Sequence, residues 1–572
     1  MPKLVLGPLL RYVGETQATV WVETDAAAEV EVLVAPAGGG AASDRPAPGR
    51  APTFAVQGHH YALVLVEGLA PRHAYEYRVT LDGQPVWPQA GPDGPGFPPS
   101  TIRTPRGDHP LRIAFGSCRV AAPHEPPWTL PPSVDRRRGK GADALYALAL
   151  RMRDTDPGGW PDLLLLLGDQ IYADDTSERV QAFIRSRRDP GQPPGLEVAD
   201  FEEYTRLYWE AWGDPVLRWL LSTVPSAMIF DDHDISDDWN TSAAWVAHMR
   251  SLPWWEERIT SGLASYWLYQ HLGNLSPGDL DDDPVWPKVR DAGDATRVLR
   301  EFALRADREV EGTRWSYTRD FGGTRLVVID SRCGRVLDGP RREMVDDHEW
   351  AWIEEQASGD FDHLLLATSL PFALAPAIHD LEAWNEAVTA GAWGRLAARA
   401  GEAVRQAIDL EHWAAFNDSF DRLADLVEAV AAGHRGRPPG SVVVLSGDVH
   451  HTYLAELAFR GGHAGHGHSP AWQAVCSPLR NPLPRDQRLA HTRAFRRPAH
   501  TVTRALARLA GVEPETIDWR VVEGPRFENH VGELLLDGRA ATLKVEQAVT
   551  PPGGDGPPRL EPLYDHRLSD GS

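Results

Sequence analysis

Six short runs of Val, Ile and Leu constrain this chain more than any other feature. They are LRIAFGSC (111–118), DLLLLLGDQIY (162–172), VPSAMIFDDHDISDDWN (224–240), TRLVVIDSR (324–332), HLLLATSLPF (363–372) and SVVVLSGDVHHTYLAEL (441–457). Near-continuous apolar runs imply strands buried on both faces. Between them lie helical patterns at 143–153, 201–212 and 422–432. Strands alternating with helices predict an α/β layered domain, whose ligands sit at the carboxyl ends of the strands. Four of the runs end there in chemistry: GSCR, GDQIYADD, DDHD and GDVHH.

The first hundred residues read as all-β. ATVWVET (18–24), EVEVLVAP (29–36) and the stretch 60–88 are rich in β-branched residues separated by turns. Gly68, Leu69, Pro71, Tyr75, Tyr77 and Val79 form a pattern that resembles a fibronectin type III or immunoglobulin-like sandwich. Nothing in this region carries catalytic chemistry. We therefore expect a β-sandwich over 1–106 and a catalytic domain over 107–550. It closes with a hairpin at 531–548, and a loose tail follows over 551–572.

Net charge is −23, from 58 Lys+Arg and 81 Asp+Glu, which disfavours sequence-independent binding to nucleic acid. Three cysteines exclude a disulfide framework, and Cys333 and Cys476 read as core thiols. The N-terminal apolar run is broken by Gly7, Pro8 and Arg11, so it does not read as a signal peptide. No run approaches the roughly 20 apolar residues of a membrane span. The expectation is a cytoplasmic chain without a transmembrane segment.

One strand-end Asp is usually a helix cap; four polar strand ends in one domain suggest a two-metal centre. Asp169 suits a bridging carboxylate, with Gly168 letting the backbone turn. Tyr172 can reach the same ion as a phenolate, a hard ligand that favours Fe³⁺ over Zn²⁺. Cys118 can add a thiolate. Asp448 and His450, two apart in an extended segment, would point the same way and each reach a metal. Arg119 could face a substrate phosphate, or form an ion pair.

The run S-C-R, G-D-Q-I-Y-A-D, D-D-H-D, T-S-L-P-F and S-G-D-V-H resembles the PhoD-like alkaline phosphatase family of calcineurin-like metallophosphoesterases. The resemblance implies a four-layer α/β/β/α sandwich behind the β-sandwich. It implies Fe³⁺ held by Cys118, Asp169, Tyr172 and His450. A second ion, Ca²⁺ or alternatively Mn²⁺ or Zn²⁺, would be shared by Asp169, Asp232 and Asp448. His233, oriented by Asp234, would protonate the leaving alkoxide. Family members often carry Asn-Asn where this chain has Asp237-Asp238, and Thr368, Ser369 or water would replace a metal-binding His. The implied activity is hydrolysis of phosphate monoesters or diesters, phospholipid-like ones included, by an activated water. The alternative is a non-catalytic metal-binding or scaffold protein that retains the fold.

Two further features fall outside this set. GGHAGHGHSP (461–470) could gather metal but reads as a flexible loop. Seven arginines between Arg485 and Arg508 could meet a polyanion or lipid headgroup, or form a solvated face paired with local acids.

Overall fold

A computed structural model describes residues 1–38, 46–89, 96–107, 109–309, 311–338, 341–459, 468–551 and 553–571. Most of the glycine-histidine loop, 461–467, lies outside these residues.

The first hundred residues form the expected sandwich. One sheet orders strands Leu4–Val13, Gln17–Thr24, His59–Glu67 and Phe54–Val56; the other is built on Glu29–Pro36 and Ala74–Leu81. Inward residues of both sheets, among them Val20, Val32, Val64 and Val79, make one core. Tyr75 turns its hydroxyl back to accept from the Ala70 N–H at 2.8 Å, a bond across the corner found in sandwiches of this kind. The sandwich is joined to the rest by Arg11, which is fully buried. Its guanidinium donates to the carbonyls of Tyr269 (2.8 Å) and Gln270 (2.6 Å).

Beyond it lie two large sheets. The six-stranded sheet runs Ser226–Ile229, Leu163–Leu167, Leu111–Gly116, His530–Asp537, Ala540–Val549, Arg559–Asp570. Its first three strands are parallel and the rest antiparallel. The seven-stranded sheet contains Thr324–Ile329, His363–Thr368 and Ser441–Ser446 as parallel neighbours. Alternation along these strands explains the unbroken apolar runs. Leu326, Val328, Leu365, Val443 and Leu445 face the core shared with the six-stranded sheet. Val327, Ile329, Leu364, Val442 and Val444 face a second core under helices Asp347–Gln356 and Asn417–Ala431. Helices thus cover two sheets that pack face to face, the four layers expected.

Within the stretch expected to be a loose tail, residues 559–570 are ordered. Arg559–Asp570 is a strand paired along the whole of Ala540–Val549, and Leu568 is buried. The strand lies at the sheet edge, where charged side chains are used to block further pairing. Those charges (Arg559, Glu561, Asp565, Arg567) hid the strand pattern in the sequence.

Candidate metal centre

The expected strand ends converge at one point. Strand Leu111–Gly116 delivers Cys118, Leu163–Leu167 delivers Asp169, Ser226–Ile229 delivers Asp231 to Asp234, and Ser441–Ser446 delivers Asp448 and His450. Close approach requires glycine at two of these ends. A Cβ on Gly447 would lie 2.1 Å from Ser117 Oγ, and one on Gly168 (φ 112°) would lie 2.8 Å from Asp231 Cβ. Cys118, Asp169, Asp238, Asn240, Asp448 and His450 all have φ between 39° and 62°. Left-handed backbone in non-glycine residues is costly and concentrates where a site demands it.

Donor atoms of Cys118, Asp169 and His450 lie within 4.8 Å of one another; so do those of Asp169, Asp232 and His233, and those of Asp231, Asp232 and Asp448. Asp169 and Asp232 each belong to two groups, so the clusters form one continuous site. Tyr172 borders it: its ring lies 4.9 Å from that of His233, and its hydroxyl accepts from Asn481 Nδ2 at 3.3 Å. Burial, reinforced by Asp169, pushes both the Cys118 thiol and the Tyr172 phenol well above their ordinary pKa. Asp169 and Asp231 are likewise pushed up, chiefly by burial.

These residues fit metal ions. Asp169 Oδ1 and Asp231 Oδ2 are buried without a hydrogen-bond partner, and Asp232 Oδ1 has only the Arg332 guanidinium at 3.3 Å, an arrangement that is costly for the first two unless a cation meets the oxygens. His450 is prepared in the same sense. Its Nδ1 faces the Asn481 carbonyl at 2.7 Å and must donate to it, which leaves Nε2 with a free lone pair. Burial lowers its pKa to about 4, so the ring is neutral.

Three expectations are corrected. Asp234 does not orient His233. Its carboxylate accepts from the Asp231 N–H and from Gln270 Nε2, both at 3.0 Å, because residues 232–234 form a 3₁₀ turn that folds it onto its own backbone. The carboxylate at His233 Nδ1 is Asp174, at 2.9 and 3.0 Å. Arg119 does not face the site: Nε and Nη2 donate to Asp143 at 2.9 and 2.7 Å and Nη1 to the Ala211 carbonyl, all buried. Asp448 and His450 are not in an extended segment. Their left-handed backbone sends His450 to Cys118 and Asp169, and Asp448 to Asp231 and Asp232. Of the two hydroxyls considered for the second ion, Ser369 is engaged by Ser331 at 2.9 Å, while Thr368 Oγ1 is buried without a partner.

Several site residues carried no signal that we read. Arg332, fully buried, bonds Asp231 and Glu411, with Nη2 3.3 Å from Asp232 and 4.0 Å from Asp448. It follows strand Thr324–Ile329, the position that marked the other ligands. His412 lies between two carboxylates, Nδ1 2.6 Å from Glu382 and Nε2 2.9 Å from Asp448. Burial opposes its charge, but the two carboxylates outweigh it and hold the ring protonated. His233 is raised in the same way: burial lowers its pKa, and Asp232 and Asp174 more than reverse that. Asp238 donates its backbone N–H to Asp232 at 3.1 Å while its own Oδ1 is buried without a hydrogen-bond partner, and Asn240 turns away to the Arg332 carbonyl. Gln270 ties the site to the β-sandwich: its carbonyl accepts from Arg11 and its amide donates to Asp234.

The chain resembles known proteins in two blocks. Residues 1–102 match a domain of unknown function, DUF7800, and residues 144–511 match the PhoD-like phosphatase family. No curated protein sequence matches the chain. A solved structure titled "Structure of PhoD" superposes with a TM-score of 0.58 at 12% identity, covering 99% of this chain and 91% of that one. Identity this low speaks for a shared fold. The family match spans well over half of the chain and includes the strand ends that supply Asp169, Tyr172, Asp232, His233, Asp448 and His450. The chain therefore belongs to the PhoD-like phosphatase family.

Proposed function

We propose that this chain hydrolyses phosphate monoesters or diesters at a dinuclear metal centre. The observation that carries the reading is Asp169, a buried carboxylate common to two donor groups of different chemistry. The softer group, Cys118 and His450 with Tyr172 beside them, would hold Fe³⁺. The oxygen-rich side, Asp232 beside Asp169 and, in the adjoining group, Asp232 with Asp231 and Asp448, would hold Ca²⁺, with Mn²⁺ or Zn²⁺ as substitutes. When bound, two such ions lower the pKa of a water and neutralise the phosphate oxygens.

The chain's own residues do the rest. His412 and Arg332 fix Asp448 and Asp232 in place. Asp174 fixes the plane of His233 by accepting its Nδ1–H and, with Asp232, favours the doubly protonated ring, so Nε2–H is the group that can deliver a proton to a leaving alkoxide. His233 is the partly exposed member of its donor group, where a substrate can reach it.

Elemental analysis with a visible spectrum tests the metal assignment, since a Tyr172 phenolate on Fe³⁺ gives a charge-transfer band. Asp169→Asn should lose most metal and nearly all turnover across a screen of chromogenic phosphate monoesters and diesters. Wild-type turnover in that variant would refute the dinuclear reading.

A further inference from the structure

Among the described residues, ten large apolar side chains are exposed. Six of them fall in two short segments: Trp393 (44%), Leu396 (83%) and Ile408 (50%), then Leu489 (48%), Val502 (66%) and Leu509 (73%). The segments touch, Trp393 Nε1 donating to the Leu509 carbonyl at 3.2 Å. Helix Arg485–Ala494 buries no residue and helix Arg497–Leu509 buries only Ala507. On the second helix Val502, Leu506 and Leu509 stand at i, i+4 and i+7, so they share one stripe. Arg497, Thr501 and Arg508 run along one flank of it. An apolar stripe facing water is the reverse of what a helix packed on a core presents.

The charge here is also the reverse of the chain's. Residues 485–509 hold seven arginines against one aspartate, in a protein of net charge −23. Arg488 is paired with Glu528, and Arg504 with Asp380 and Glu515. Among the described residues Arg493, Arg496, Arg497 and Arg508 have no ion-pair partner. The expectation of a face paired with local acids therefore holds for only part of the stretch.

Both segments lead into the metal centre. Ile408 is followed closely by Glu411 and His412, which hold Arg332 and Asp448. Asn481, just before the first helix, accepts from His450, and His491 packs 5.1 Å from His451.

We infer that this face docks on a bilayer surface containing anionic lipid. Apolar side chains beside unpaired arginines match the boundary between headgroups and acyl chains, where each finds its own partner. Nucleic acid would leave the apolar stripe in water. A second copy meeting the same face across a two-fold axis would set arginine against arginine. The inference concerns where the protein sits and does not depend on the proposed hydrolysis.

Co-sedimentation of the full chain with vesicles tests it. Vesicles of phosphatidylcholine with phosphatidylglycerol should bind at least about tenfold more tightly than phosphatidylcholine alone, and high salt should abolish the difference. The combined variant Leu396→Ser, Val502→Ser, Leu509→Ser should lose at least about tenfold in affinity with an unchanged melting curve, since all three side chains are exposed. No binding, equal binding to both vesicles, or undiminished binding by the variant would overturn the inference. So would light scattering that shows a dimer dissociated by the same substitutions in a protein without vesicle affinity.

Discussion

Asp174→Asn is the most informative single change. Asp174 presents both carboxylate oxygens to His233 Nδ1, at 2.9 and 3.0 Å, and also accepts from the Asp237 N–H. Burial works against its ionised form, but the neighbouring His233 charge more than compensates and lowers its pKa. An asparagine keeps the volume. It removes the negative charge that helps hold the His233 ring protonated, however, and leaves Nε2 a weaker proton donor. General acid–base catalysis by a positioned group is worth about 10²–10⁴-fold. Losing the protonated donor should lower kcat by about 10²–10³-fold, or about 3–4 kcal/mol of barrier. KM and bound metal should stay as they were, because the asparagine Oδ1 can still accept from the Asp237 N–H and Asp174 is not among the proposed metal ligands. Asp234→Asn is the matched control. Its carboxylate serves the Asp231 N–H and Gln270, so it should cost about 1 kcal/mol of stability, as a lost cap does, and leave kcat near wild type. Steady-state kinetics on a chromogenic phosphodiester, with elemental analysis of each preparation, decides between them. Equal kcat losses in the two variants, or wild-type kcat in Asp174→Asn, would refute the reasoning.

Two predictions concern the scaffold. Arg119→Met leaves Asp143 fully buried with Arg480 3.9 Å away as its remaining cation. Breaking a buried pair from one side costs about 3–5 kcal/mol, so the melting midpoint should fall while kcat of the folded protein changes little; the opposite pattern would return Arg119 to the substrate. Burial lowers the pKa of His271 to about 3 and of His363 to about 4, so both stay neutral in the native state. The unfolded chain takes up these protons below the ordinary value of about 6.5, so stability is lost as pH falls through that point, by about 2 kcal/mol per histidine at pH 5. Thermal melts of a His271→Gln, His363→Gln variant should change less between pH 6.5 and 5 than those of the parent, and an identical slope would exclude this cause.

The layers and most of the centre were legible because they share one physical origin. A strand buried on both faces must read as an apolar run, and a parallel sheet offers ligands at its carboxyl ends. That logic reached Cys118, Asp169, Asp232, Asp448 and His450 without a contact map, and it pointed to Arg332 too. Arginine went unread because a cation is not what a metal site suggests. Asp174 and Asp234 show the limit of neighbourhood along the chain: the residue beside His233 in sequence is folded onto its own backbone, and the one 59 positions earlier meets the ring. Glu411 and His412 follow no strand, and only the tertiary fold brings them in. These unread residues bring the positive charge of the site: Arg332 meets Asp231, Asp232 and Glu411, and His412 lies between Glu382 and Asp448. The carboxylates stand in a buried volume, where an uncompensated charge is expensive, so cations held at the centre would complete a balance that these two side chains begin.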